Sequence, residues 1–143
     1  MDVINGQNAL VNSIGISTAG MKAQSFRMRV IAENIANANS TAEVPGALPY
    51  RRQVVSFKNE LDAASGADMV HISKVSRDPS EFQRRYLPGH PSADANGYVL
   101  YPNVNTLTET MDMREAQRSY EANLNVIEIS RMMTSRTIDL LRV

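Results

Sequence analysis

The chain has 143 residues, and 15 Lys and Arg balance 15 Asp and Glu, so its formal charge is zero. A neutral chain of this length holds one domain, or a helical part with a small insert, and gives no global electrostatic reason to bind nucleic acid or an anionic membrane. The absence of Cys excludes a disulfide framework, a thiolate nucleophile and any Cys-ligated metal.

The first stretch, MDVINGQNALVNSIG, lacks the basic and apolar blocks of a cleavable leader, so no cleaved signal peptide is expected. No apolar run approaches the roughly 20 residues needed to span a bilayer, so direct membrane insertion is not expected either. A helical pattern occupies residues 10–37, with Asn8, Asn12 and Ser13 as competing caps. Its apolar residues divide between two faces. Ile14, Met21, Met28 and Ile35 recur at every seventh position with Ile31 at their edge, while Ile16, Ala19, Ala23, Phe26 and Val30 take the far side. The intervening Ser17, Gln24 and Ala38 are too polar or small for a two-stranded coiled-coil seam, which favours a broader helix-on-helix contact.

ANSTAEVPGA, from Ala38 on, ends the helix in a loop with Pro45-Gly46. The segments YRRQVVSF (50–57) and MVHISKV (69–75) read as strands, joined by a polar connection. Asp78-Pro79 turns the chain, Phe82 and Tyr86 frame Arg84-Arg85, and DANGY carries a tight-turn signal at Asn96-Gly97. A short strand from Tyr98 stops at Pro102. This middle third is too small to bury much core of its own and should lean on the helices or on a neighbouring subunit.

From Asn105 to the end there is no Gly or Pro, and Leu, Met, Ala, Arg, Glu and Gln favour a long helix. Wound at roughly 100° per residue, it too has two apolar faces. Met113, Ala116, Tyr120, Leu124, Ile127, Ile138 and Leu141 share one, and Met111, Ala122, Val126, Ile129, Met133 and Leu140 share the other. A surface helix of an ordinary globule shows one stripe. Two stripes require two neighbours, which points to burial completed in an assembly. Glu109, Asp112 and Glu115 near the helix start, and Arg131, Arg136 and Arg142 toward its end, suit the helix dipole.

No catalytic or cofactor constellation emerges. His71 and His90 would need a carboxylate such as Asp94 to hold a metal, and nothing in their spacing demands it. A hydrolase built on His90 and Asp94 lacks a nucleophile-elbow sequence, and no Gly-rich phosphate cradle is present. Arg51-Arg52 and Arg84-Arg85 read as solvated or salt-bridged strand faces rather than a phosphate site. From the residues alone, a self-assembling structural subunit and a soluble helical adaptor both stay open. No enzyme is expected.

Two segments carry a resemblance. AENIANANS, from Ala32 to Ser40, is similar to the N-terminal signature of the rod, hook and axial-protein family of the bacterial flagellum. DMREAQRSYEAN, from Asp112 to Asn123, is similar to the family's C-terminal helix signature. PYRRQVVSF and PGHPSADANGYVLYPNVN resemble its proximal-rod members in particular. Asn34, Ala36, Asn37 and Asn39 match the first signature, and Arg118, Ser119, Tyr120, Glu121 and Asn123 match the second. The asparagines are expected to satisfy backbone at the helix end. Tyr120 is expected to bury its ring with its hydroxyl bonded.

The resemblance implies a mainly α, α+β fold: long N- and C-terminal helices, 1–40 and 105–143, paired antiparallel around a small β-rich insert, 41–104. It implies a tubular rod that transmits torque, surrounds an export channel and spans the periplasm, with subunits exported through the flagellar type III apparatus. Other copies, other proximal-rod proteins, export-gate and adaptor proteins and the basal-body membrane ring are the implied partners. The two-face pattern makes Ile14, Ile16, Met21, Phe26, Met28, Ile31 and Ile35 the expected assembly residues of the first helix. Met111, Met113, Tyr120, Leu124, Val126, Ile127, Ile129, Met133, Ile138 and Leu141 are those of the second.

Overall fold

The computed structural model describes residues 2–63 and 65–140, with side chains from Ala9 onward, so Leu141 lies outside the described residues. The elements in chain order are α1 (Asp2–Ala36), β1 (Gln53–Leu61), β2 (Asp68–Arg77), β3 (Gln83–Tyr86), β4 (Tyr98–Tyr101) and α2 (Thr106–Leu140). The fold is α+β, with two long helices flanking a small β insert. Each helix has 35 residues. The strands form two separate two-stranded sheets, β1 with β2 and β3 with β4.

The chain clusters into two compact units. Unit 1 comprises 1–27, 57–73 and 115–143; unit 2 comprises 28–56 and 74–114. In unit 1 the helices run antiparallel, with Gly20 opposite Asn123 and Arg27 opposite Glu115. The buried residues there are mostly small: Ser17, Ala23, Ala116 and Ser130, with Ile127 as the large apolar member. Small side chains let helix axes approach closely. Gly20 lies close against α2, because a Cβ on it would lie 2.9 Å from the Asn123 amide nitrogen. The β1–β2 loop packs on the other side of α1. Asn12 donates to the Ser65 carbonyl at 3.3 Å, and Met69 approaches Gly15.

In unit 2 the core holds Val30 and Ile31 from the end of α1 and Ala38 just beyond it, together with Val99, Pro102 and Val104. Burying a side chain such as Val99 completely contributes about 1.5–3 kcal/mol. β3 and β4 are antiparallel, with Arg84 opposite Leu100 and Tyr86 opposite Tyr98. Arg85 lies over the Tyr101 ring at 4.3 Å, and Tyr86 meets Tyr98 edge-on. The turn before β4 follows from Asp94, whose Oδ1 accepts the N–H groups of Asn96 and Tyr98 while its carbonyl accepts that of Gly97. Gly97 has φ +81°, and a Cβ there would come within 2.9 Å of the Tyr86 ring. Only glycine fits that turn without strain.

α2 begins where Asn105 caps it. The Asn105 side chain accepts the N–H groups of Leu107 and Thr108, and its carbonyl accepts that of Glu109. α1 ends at Ala36 because Asn37 turns its side-chain amide back onto the Glu33 carbonyl at 2.8 Å. Ser40 then donates to Asn37.

Candidate assembly face and buried polar cluster

The two apolar faces of α2 have different fates. On the side that meets α1 in unit 1, Ala116 and Ile127 are buried and Tyr120 is half-buried. The other side is open along its length. Val126, Ile129 and Met133 are 40%, 56% and 52% exposed, and Ala122 and Leu140 are exposed as well. Leu124 and Ile138, grouped by periodicity with the covered side, are exposed. In unit 2, Met111 is exposed and Met113 half-buried.

α1 is covered more completely. Ile14, Met21, Phe26, Met28 and Ile35 are half-buried and Ile31 is buried, whereas Ile16 and Val11 are exposed. The far side, with Ala19, Ala23 and Val30, faces β2 in unit 1 and the core in unit 2. Part of the second neighbour that periodicity demanded for α1 therefore comes from the chain itself.

A polar cluster sits at the centre of unit 2. Asn34, only 1% exposed, uses its amide fully. Its Nδ2 donates to the Gln53 carbonyl at 2.9 Å and to Glu109 Oε2 at 3.0 Å. Its Oδ1 accepts the Tyr50 hydroxyl at 2.8 Å and the Gln53 N–H at 2.9 Å. An amide offers two donors and two lone pairs, so nothing is left unsatisfied. Glu109, also 1% exposed, receives Arg52 Nε at 2.6 Å. The same guanidinium reaches Asp78 at 3.4 Å and Asp112 at 3.6 Å.

Burial pulls the Arg52 pKa down, but the hydrogen bond and charge of Glu109, and then those of Asp78, raise it above its ordinary value. Asp78 is held below the usual carboxylate range, first by hydrogen bonds from Ser80 and then by Arg52. Burial, followed by the charge of Glu33, raises the Tyr50 hydroxyl.

The signature residues divide by task. Asn37 satisfies the helix end as expected, while Asn34 instead satisfies the backbone of β1, and Asn39 is exposed. Ala36, Arg118 and Glu121 are exposed, and Asn123 returns its amide to the Ser119 carbonyl. Tyr120 departs from expectation: its ring is half-buried, and its hydroxyl has no hydrogen bond among the described residues. The bonded hydroxyl is found instead on half-buried Tyr50, the first residue of the YRRQVVSF segment. The histidines have local surroundings. His90 Nδ1 accepts the Ser92 N–H at 3.1 Å within a turn, and His71 is exposed on β2. Among the described residues no helix is long and apolar enough to cross a membrane.

Two family models match this chain in the order its elements run. One, described as Flagella basal body rod protein, covers residues 14–42, and another, Flagellar basal body rod FlgEFG protein C-terminal, covers residues 95–140. The class is thus that of the flagellar rod proteins. The flagellar basal-body rod protein FlgC of Agrobacterium fabrum is 52% identical over 127 residues, 89% of this chain and 91% of the relative. The FlgC proteins of Salmonella typhimurium and Bacillus subtilis are 39% and 33% identical, over 92% and 90% of this chain and 98% and 96% of theirs. The chain belongs to the FlgC family of flagellar basal-body rod proteins.

Proposed function

We propose that this chain is a non-enzymatic structural subunit of the proximal rod, joined to its neighbours through the two terminal helices. The open stripe of α2, Ala122, Val126, Ile129, Met133 and Leu140, carries this reading. A contiguous exposed apolar strip on one side of a helix marks an interaction surface. In this reading the segments 1–40 and 105–143 are the assembling core and 41–104 is an insert upon it. The assembled rod transmits torque through the periplasm and encloses an export channel. Subunits reach it through the flagellar export apparatus. Copies of the chain, other proximal-rod proteins, the export-gate and adaptor proteins and the surrounding membrane ring are its partners.

The test is substitution on the open stripe. Ile129→Asp and Val126→Asp place a charge where the chain itself does not bury it, so folding should persist while rods fail to form and cells lose motility. Normal basal bodies containing either variant would refute the assignment of this face.

A further inference from the structure

The chain has eight Met but no Cys and no Trp. With no thiol to react first, its thioethers are the groups an oxidant meets, and access decides which of them it takes. Of the seven described methionines, Met21, Met28, Met69 and Met113 are half-buried, while Met111, Met132 and Met133 are exposed. Met132 and Met133 are exposed almost equally, 54% and 52%, but they project about 100° apart round α2. Met133 stands on the open apolar stripe, four residues from Ile129 and seven from both Val126 and Leu140. Met132 stands off that stripe, and Met111 belongs to unit 2.

We infer that Met133 is a peroxide-sensitive modification site, and that its oxidation before assembly disables the open face of α2. A lone pair of the Met133 Sδ attacks one oxygen of hydrogen peroxide. The S–O bond forms as the O–O bond breaks, sulfur is oxidised by two electrons, and the second oxygen leaves as water after a proton shift. The sulfoxide oxygen is a strong acceptor in a strip whose other side chains, Ala122, Val126, Ile129 and Leu140, offer no donor. Pressed against an apolar neighbour, that oxygen is stripped of water and gains no hydrogen bond in return. Reversal takes an outside sulfoxide reductase and a dithiol, which becomes a disulfide as the oxygen departs in water, because the chain has no thiol of its own. The inference rests on the rod-subunit reading, in which the stripe is covered once the rod forms. Oxidation therefore acts on the folded, unassembled subunit.

The test uses the full-length chain. Purified protein is treated with dilute hydrogen peroxide, and sulfoxide at each Met is followed by peptide mass spectrometry. Met133 should react about five-fold faster than Met21 or Met28. Cells producing the parent, Met111→Leu, Met132→Leu, Met133→Leu or Met133→Ile chain then build rods under a peroxide pulse, and incorporation into basal bodies is normalised to untreated cells. It should fall about ten-fold further for the parent and for the variants at 111 and 132 than for either variant at 133, whose apolar side chains keep the strip intact. Met133→Gln, which is polar without any oxidant, should incorporate poorly in untreated cells. Equal losses for all five chains, a Met133 no more reactive than half-buried Met, or full incorporation of Met133→Gln overturns the inference. Met133 reacting as fast in isolated basal bodies as in the free chain overturns instead the assignment of this stripe to a rod contact, and absence of the parent chain from untreated basal bodies overturns the rod-subunit reading itself.

Discussion

Replacing Asn34 by Ala tests the polar cluster most directly. The substitution removes four hydrogen bonds at one stroke, to both backbone groups of Gln53, to the Tyr50 hydroxyl and to Glu109. A buried polar group left without its partner costs about 1–3 kcal/mol. Gln53 and Tyr50 are half-buried and recover part of that from water, and Glu109 keeps Arg52. A net loss of about 3 kcal/mol follows. For a chain of this size that lowers Tm by about 10 °C, readable by circular dichroism of the purified full-length protein. Ser25→Ala, at an exposed position of the same helix, should stay within about 0.5 kcal/mol of the parent. The variant N34D adds a signature of sign. Its new carboxylate would face Glu109 Oε2 and the Gln53 carbonyl, which are both acceptors. Like charges sharing a site raise a carboxyl pKa, so this variant's deficit should shrink as pH falls and the carboxyl gains a proton. An Asn34→Ala protein melting within about 2 °C of the parent would refute the reasoning, since it implies well under 1 kcal/mol.

Ile127 and Ile129 should separate folding from assembly. Ile127 is 8% exposed, so Ile127→Asp buries an unpaired charge and should cost about 4 kcal/mol or more in a melt, whereas Ile129→Asp should melt like the parent and fail only in rod formation. Equal melting of the two would contradict the assignment of faces. Gly97→Ala forces a side chain into the left-handed region and toward the Tyr86 ring; a loss of about 1–2 kcal/mol is expected from the backbone alone, and an unchanged urea midpoint would count against it. Asp78 has a depressed pKa, so its contribution is complete above the ordinary carboxylate range and disappears as pH falls through the depressed value. The melting gap between the parent and Asp78→Asn should therefore narrow in strong acid, and a gap that stays constant there would exclude the proposed linkage.

The helices were legible because their signals are local. Residues 105–143 contain no Gly or Pro, and a period near 3.6 survives in both helices. The same applies to β1, β2 and β4, which are rich in β-branched and aromatic residues. β3, QRRY, was not legible: no β-branched residue announces it, and it depends on pairing with β4 and on Arg85 lying over Tyr101. Glu109 misled for a related reason. An acidic residue in a first helical turn has a sufficient local explanation in the dipole, while its burial depends on Arg52, 57 positions away. Periodicity divided α2 into two faces correctly at Ile127 and Ile129. It carried no information on which face α1 would take.

The bond between Asn34 and Glu109 spans 75 positions. A chain delivered end first through a narrow passage cannot make it until both residues have emerged. Until then Asn34 holds at most its bonds to Tyr50 and Gln53, which belong to the nearer part of the chain. Closing a loop of this length must be met in entropy before its contacts return anything. On the proposed export route, unit 2 therefore closes only after Glu109 has followed Asn34 through, and a chain truncated before Glu109 would lack that closure.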